Sequence, residues 1–222
     1  YRVQDGTFME RLGLTSSADR GVTFGGLLGA PLPETYRDRV SPRLPGRWGS
    51  FAVGVYDGGG FKADEENTNK VLQGRLSLRP FPSHLPGLQI SSFLVRGRGN
   101  RDPAPAWELD ALMLSWESPR LIATAQVVDR KGDPGGLAVD DAGTALCGEG
   151  WSLFAEWKLS RLWSLIGRQD AFDPDVRVPR DSWHRTIAGV ARHLAGRTLI
   201  LLDWERRVPV DDFSERHEQR DR

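Results

Sequence analysis

Apolar and polar residues alternate with a period of two along most of this chain. From Gly150 to Leu159, Trp151, Leu153, Ala155, Trp157 and Leu159 share one face, and Ser152, Phe154, Glu156 and Lys158 share the other. Successive side chains of a strand point to opposite faces, so this period predicts a strand with one apolar and one mostly polar face. The same alternation runs through Phe51, Val53 and Val55, through Leu72 to Arg79, through Leu121 to Val127, and through Ile200 to Glu205. Ten strands are predicted, at about 20–28, 47–57, 69–79, 87–96, 106–116, 120–129, 149–159, 162–170, 182–193 and 198–207. The strand at 106–116 has the weakest pattern: Trp107, Leu109 and Ala111 oppose Glu108 and Asp110, but Leu112, Met113 and Leu114 then blur the faces. A helical signal is confined to Thr7–Leu12, where Thr7 and Glu10 have capping-box spacing.

The connections sharpen the fold class. Links after 116, 159 and 193 are short, whereas Gly58–Thr68, Gly97–Pro105, Arg130–Gly148 and Ala171–Asp181 are long and rich in Gly, Pro, Asp and Asn. Short and long links alternate from the second strand onward, as in an up-and-down outer-membrane barrel with tight turns at one rim and loops at the other. Residues 29–46 break that rule, being long and holding four prolines where a tight turn is expected. Tryptophan adds a second cue. Trp48, Trp107, Trp116, Trp151, Trp163, Trp183 and Trp204 fall at or toward predicted strand ends, the positions of membrane-interface aromatic girdles.

Composition changes the picture less than its totals suggest. The chain has 222 residues, 30 Lys+Arg against 30 Asp+Glu, eight Trp, one Cys and a mean hydropathy of −0.44. Zero net charge argues against nucleic acid as a partner. The lone Cys147 excludes a disulfide scaffold, and the four His show no metal spacing, so no metal, cofactor or catalytic residue is expected. Asp129, Asp133, Asp140 and Asp141, and Asp170, Asp173 and Asp175 with Pro174, have the chemistry to bind calcium in an outer loop, but turn formation explains both clusters as well and is the favoured reading. A soluble-looking average also suits a membrane barrel, because only alternate strand residues meet lipid. The competing reading is a soluble β-sandwich carbohydrate-binding module, its tryptophans stacking on sugars.

Several short motifs, in order, carry a family resemblance. They are Arg20-Gly21-Val22 followed by Gly25-Gly26, the strand end Phe51-Ala52-Val53-Gly54-Val55-Tyr56-Asp57-Gly58, Asn69-Lys70 with the stretch Arg75 to Pro80, and a Trp-rich hairpin. That hairpin runs from Gly150-Trp151 through Glu156-Trp157 and Trp163 to Arg168-Gln169-Asp170 and Phe172-Asp173-Pro174. Together they resemble the phosphate-selective porin (porin O and P) family of Gram-negative outer membranes, over about residues 7–207. The resemblance implies a 16-stranded transmembrane β-barrel, commonly a homotrimer in outer-membrane lipid, that passes small solutes or anions. Ten strands make only part of such a barrel, so residues 1–222 are expected to be one porin-like domain lacking its closing strand, with 208–222 an outer loop.

In that frame the faces opposite the lipid line a channel. The expected pore-lining residues are Arg75, Arg79, Glu108, Asp110, Gln126, Glu156, Lys158, Arg168, Asp170, Asp203 and Glu205, with Glu156 and Arg168 as a pair across one hairpin. Charged side chains in a pore set ion selectivity through their local field. Four lysines and a balanced charge are thin for a phosphate site, so a general diffusion pore is expected.

Overall fold

The structure is a computed structural model that describes residues 7–16, 18–179, 181–194 and 198–210. The charged run at 215–222, the outer loop expected at 208–222 beyond residue 210, and residues 195–197 of one predicted tight turn lie outside the described residues. The fold is all-β. Ten strands follow one another: β1 (Gly21–Leu28), β2 (Gly49–Tyr56), β3 (Val71–Leu78), β4 (Leu88–Arg98), β5 (Ala106–Glu117), β6 (Leu121–Lys131), β7 (Cys147–Lys158), β8 (Trp163–Asp173), β9 (Trp183–His193) and β10 (Leu199–Pro209). Two short helices, α1 (Phe8–Arg11) and α2 (Glu34–Arg39), complete the elements. Each strand pairs antiparallel with the next, giving one ten-stranded up-and-down sheet. β1 and β10 are its edges and do not pair with each other, so the sheet is open.

The predicted strand boundaries agree with the observed ones to within about three residues, because Gly, Pro and Asp mark the links sharply. The anomalous link 29–46 is explained by its own structure. It forms α2 and a bridge between Pro31 and Gly46, and then feeds β2 through Gly49, whose φ of 131° only glycine adopts readily. A Cβ there would strike the Ser77 carbonyl on the neighbouring strand.

Register assigns every strand residue to a face, since directly opposed residues share one. The inner face carries Ser152, Phe154 and Glu156 of β7, opposed by Asp170, Arg168 and Ile166 of β8. Arg185, Ile187 and Gly189 of β9 continue the row. The outer face carries Leu153, Ala155 and Trp157, opposed on β6 by Ala125, Ala123 and Leu121.

Helix α1 lies on the inner face. Its capping box forms as the sequence predicts: Glu10 N–H donates to Thr7 Oγ1, and Thr7 N–H donates to Glu10 Oε2 at 2.9 Å. Phe8 meets Phe172 of β8 edge to face, with ring centroids 6.5 Å apart. Arg11 pairs with Glu205 of β10 at 3.3 Å, while the Leu14 carbonyl accepts from Trp107 Nε1 of β5 at 3.2 Å. β5 and β10 would stand about 24 Å apart in a flat sheet. Residues 11 and 14 span at most about 11 Å of chain. One short segment thus reaches both β5 and β10 across the inner face, with the long Arg11, Glu205 and Trp107 side chains covering the rest of the distance.

The buried cluster Phe8, Leu14, Val71, Val95, Trp107, Leu109, Val128, Phe172 and Trp183 fills the inner face toward the long loops. A second buried cluster, Phe154, Ile166, Ile187 and Ala191, lies on the inner face of β7–β9 toward the tight turns.

Candidate functional site

Around and between these two clusters the inner face buries polar side chains as well. Ser50, Ser77, Arg79, Ser91, Ser152, Glu156, Ser164, Arg168, Asp170 and Arg185 are all buried there. Asp170 is its centre. One carboxylate oxygen accepts from Arg168 Nε at 2.9 Å, and the other accepts from Arg185 Nε at 2.8 Å. The contact follows from register, because Asp170 opposes Arg185 across β8 and β9. Arg185 reaches on to Glu205 at 3.8 Å, and Glu205 to Arg11, so a charge chain joins β8, β9, β10 and α1. The rings add to it: the guanidinium carbon of Arg207 sits 4.0 Å from the centroid of the Trp183 ring.

A second polar group lies on β2–β4. Arg75 Nη1 donates to Ser77 Oγ at 2.8 Å and to Ser50 Oγ at 3.2 Å, and Ser77 and Ser91 share a hydrogen bond of 2.7 Å. Arg79 closes the tight-turn end. It donates to the Pro86 and Gly46 carbonyls and lies over the Tyr36 ring of α2. Burial pushes the Tyr36 phenol above its ordinary range, opposed by the Arg79 charge.

The predicted channel residues are therefore placed as follows. Arg75, Gln126, Glu156, Lys158, Arg168, Asp170, Asp203 and Glu205 lie on the inner face, and Arg79 continues that face beyond β3. Glu108 and Asp110 do not. Their register partners are Lys131 and Asp129, and all four point outward. Glu108 pairs with Lys131 at 3.8 Å, and Asp110 holds Arg96 with both oxygens, at 2.7 and 2.8 Å. The expected Glu156–Arg168 pair is also replaced. Arg168 is drawn to Asp170, and the side chain that faces Glu156 is His193, whose Nε2 lies 3.8 Å away and shares a hydrogen bond of 2.9 Å with Ser164 Oγ. Glu156 is only 1% exposed, and neither of its oxygens accepts a hydrogen bond. Arg185 and Arg11 were missed by the sequence reading: on β9 Arg185 shares its face with the apolar Trp183, Ile187 and Ala191, so turning the apolar face outward would misplace it.

The tryptophans divide in the same way. Trp48, Trp116, Trp157 and Trp163 gather at the tight-turn rim, exposed or half-exposed, with Trp151 and Trp204 nearer mid-strand on the outer face. Trp107 and Trp183 are corrections to the expected girdle. Both point inward and are buried, at 1% and 6% exposed, because α1 and the following turn pack on them.

The exposed outer face is mostly apolar, but a polar row of Gln169, Thr186 and the exposed Arg206 crosses it on β8–β10 in line with Leu153. Val53, Val55, Leu72, Leu76, Leu78, Ile90, Leu112, Leu114, Val127, Leu153, Leu165 and Leu202 all show 40% or more of their surface. On β7 this band runs from Trp151 to Trp157, about 20 Å along the strand. It ends toward the long loops in a charged row: Arg96, Asp110, Asp129, Lys131, Glu149 and Asp173.

The loop aspartates shape turns. Asp133 accepts from the backbone N–H groups of Gly135, Leu137 and Ala138, and Asp140 from those of Ala142 and Thr144. Asp175 is chelated by Arg177, whose hydrogen bond holds that carboxyl below its ordinary range.

Comparison with known family models, curated proteins and solved structures gives no match. The sheet thus has one face with buried ionic groups and another that is exposed and mostly aliphatic. No described helix is long and apolar enough to cross a membrane, which says nothing of strands.

Proposed function

We propose that this chain forms wall of an outer-membrane β-barrel channel for passive diffusion of small solutes, as the porin resemblance implies. The observation that carries the reading is the inverted polarity of one sheet. Ser152, Glu156, Arg168 and Asp170 are buried inside, while Leu153, Trp157, Val127 and Leu202 are exposed outside. Water rewards the opposite arrangement, at about 25 cal/mol per Å² of apolar surface. Lipid rewards this one: barrels span membranes with a lipid-facing apolar band about 25 Å tall and a polar interior. The Trp-rich tight-turn rim and the charged long-loop row match the two limits of such a band.

A sandwich module needs a second sheet to cover Leu153 and its neighbours, and the described residues form a single sheet. The edges of β1 and β10 require partner strands, because unpaired backbone groups are not tolerated in hydrocarbon. The inner face carries both signs: Arg168, Arg185, Glu156 and Asp170 are buried in it, which leaves the half-buried Arg75, Lys158, Asp203 and Glu205 as the charges that face a lumen. Strong preference for phosphate is not expected from so balanced a lining. Purified protein reconstituted in planar bilayers should give stepwise conductance, and a reversal potential in a salt gradient should report weak ion selectivity. Recovery in the soluble fraction without detergent, with no conductance, would overturn the reading.

A further inference from the structure

The tight-turn rim holds a feature that the channel reading does not use. Between the β5–β6 turn and the β7–β8 turn lies a cavity of about 770 Å³, lined by Arg120, Lys158, Arg161, His193 and Trp157. None of the residues lining it is acidic. Arg120, Lys158 and Arg161 have no carboxylate within ion-pair distance among the described residues; Glu117 acts on Lys158 only at longer range, and Glu156 faces His193.

Arg120, Lys158 and Arg161 around one cavity with no acidic lining residue make it locally positive, which favours an anion there. The turns that carry them are fixed. Ser118 Oγ accepts from Leu121 N–H at 3.0 Å, and Ser160 Oγ accepts from the Leu162 and Trp163 N–H groups at 3.1 Å each. Lys158 N–H donates to the Arg120 carbonyl at 2.8 Å, which ties the two hairpins together. An apolar path leads away from the cavity down the outer face. Trp157 is opposed by Leu121 on one side and by Leu165 on the other, and all three are exposed.

We propose that this cavity binds the phosphate group of an anionic phospholipid of the leaflet at the tight-turn rim. Arg120 and Arg161, on the turns, supply planar donors for the phosphate, and Lys158, on the inner side of the cavity, adds its charge at longer range. The acyl chains run along Trp157, Leu121 and Leu165. A free phosphate shares the headgroup chemistry but leaves that apolar path unused. The proposal rests on the membrane reading above.

The test is native mass spectrometry of the full chain, released from vesicles of phosphatidylglycerol and phosphatidylcholine. The protein should retain phosphatidylglycerol in preference to phosphatidylcholine. The double variant Arg120→Gln/Arg161→Gln should weaken that retention about thirtyfold, at about one surface-charge contribution for each arginine. Lys131→Gln, at the opposite rim, should leave it unchanged, which controls for general loss of charge. Equal retention of both lipids, or full retention by the double variant, overturns the proposal. Displacement of the lipid by inorganic phosphate at an equal concentration also overturns it and assigns the cavity to small anions. Insertion into vesicles without lipid retention sinks this inference alone, whereas failure to insert sinks it together with the membrane reading.

Discussion

Asp170 has no exposed surface, and each of its oxygens serves a different arginine. A buried carboxylate between two guanidinium groups is balanced only while all three are present. Asp170→Asn keeps the shape and removes the charge, leaving Arg168 and Arg185 buried with like sign. Breaking a buried pair in this way costs about 3 kcal/mol or more. The expected outcome is a lowered urea midpoint for unfolding from lipid vesicles; an unchanged midpoint would mean that water reaches the network. Single residues were also where the sequence misled. Glu108 and Asp110 read as channel residues from the sequence because they are charged and their neighbours are not. Their parity with Leu112, Leu114 and Trp116 on β5 places them outward, and the observed register agrees. The rule that apolar means outward fails near the loops, because α1 and Leu14 make the inner face apolar there. Nothing in the β5 sequence announces a segment a hundred residues upstream.

At the scale of elements, strands β6 to β8 were legible because their alternation is clean and their turns are marked by Ser118-Pro119 and Ser160-Arg161. The α1 capping box was legible for the same local reason, whereas its place on the inner face was not, since that depends on contacts with β5, β8 and β10. The faces of β7 offer a sharp discrimination. Leu153 is half exposed at mid-strand, between Trp151 and Ala155. On a soluble sheet Leu153→Arg is close to neutral, as most exposed substitutions are. On a lipid-facing strand it costs about 2–4 kcal/mol near the bilayer midplane. Urea unfolding of vesicle-inserted protein is expected to show that loss, and a change within about 0.5 kcal/mol speaks for the soluble alternative.

At the scale of the molecule, the up-and-down order was readable from the alternation of short and long links, and the sheet follows it strand by strand. Closure was not readable, because pairing between β1 and a distant strand leaves no local mark, and the sheet is open between β1 and β10. The central claim is that the exposed aliphatic face meets lipid, and one labelling measurement addresses it directly. Cys147 is replaced by serine, and single cysteines are introduced by Leu153→Cys on the outer face and Asp141→Cys in a long loop. In outer-membrane vesicles a charged, membrane-impermeant maleimide should label the loop position and spare the strand position, while an apolar maleimide labels both. Equal labelling of both positions by the charged reagent would show that the outer face is wet, and would contradict the account.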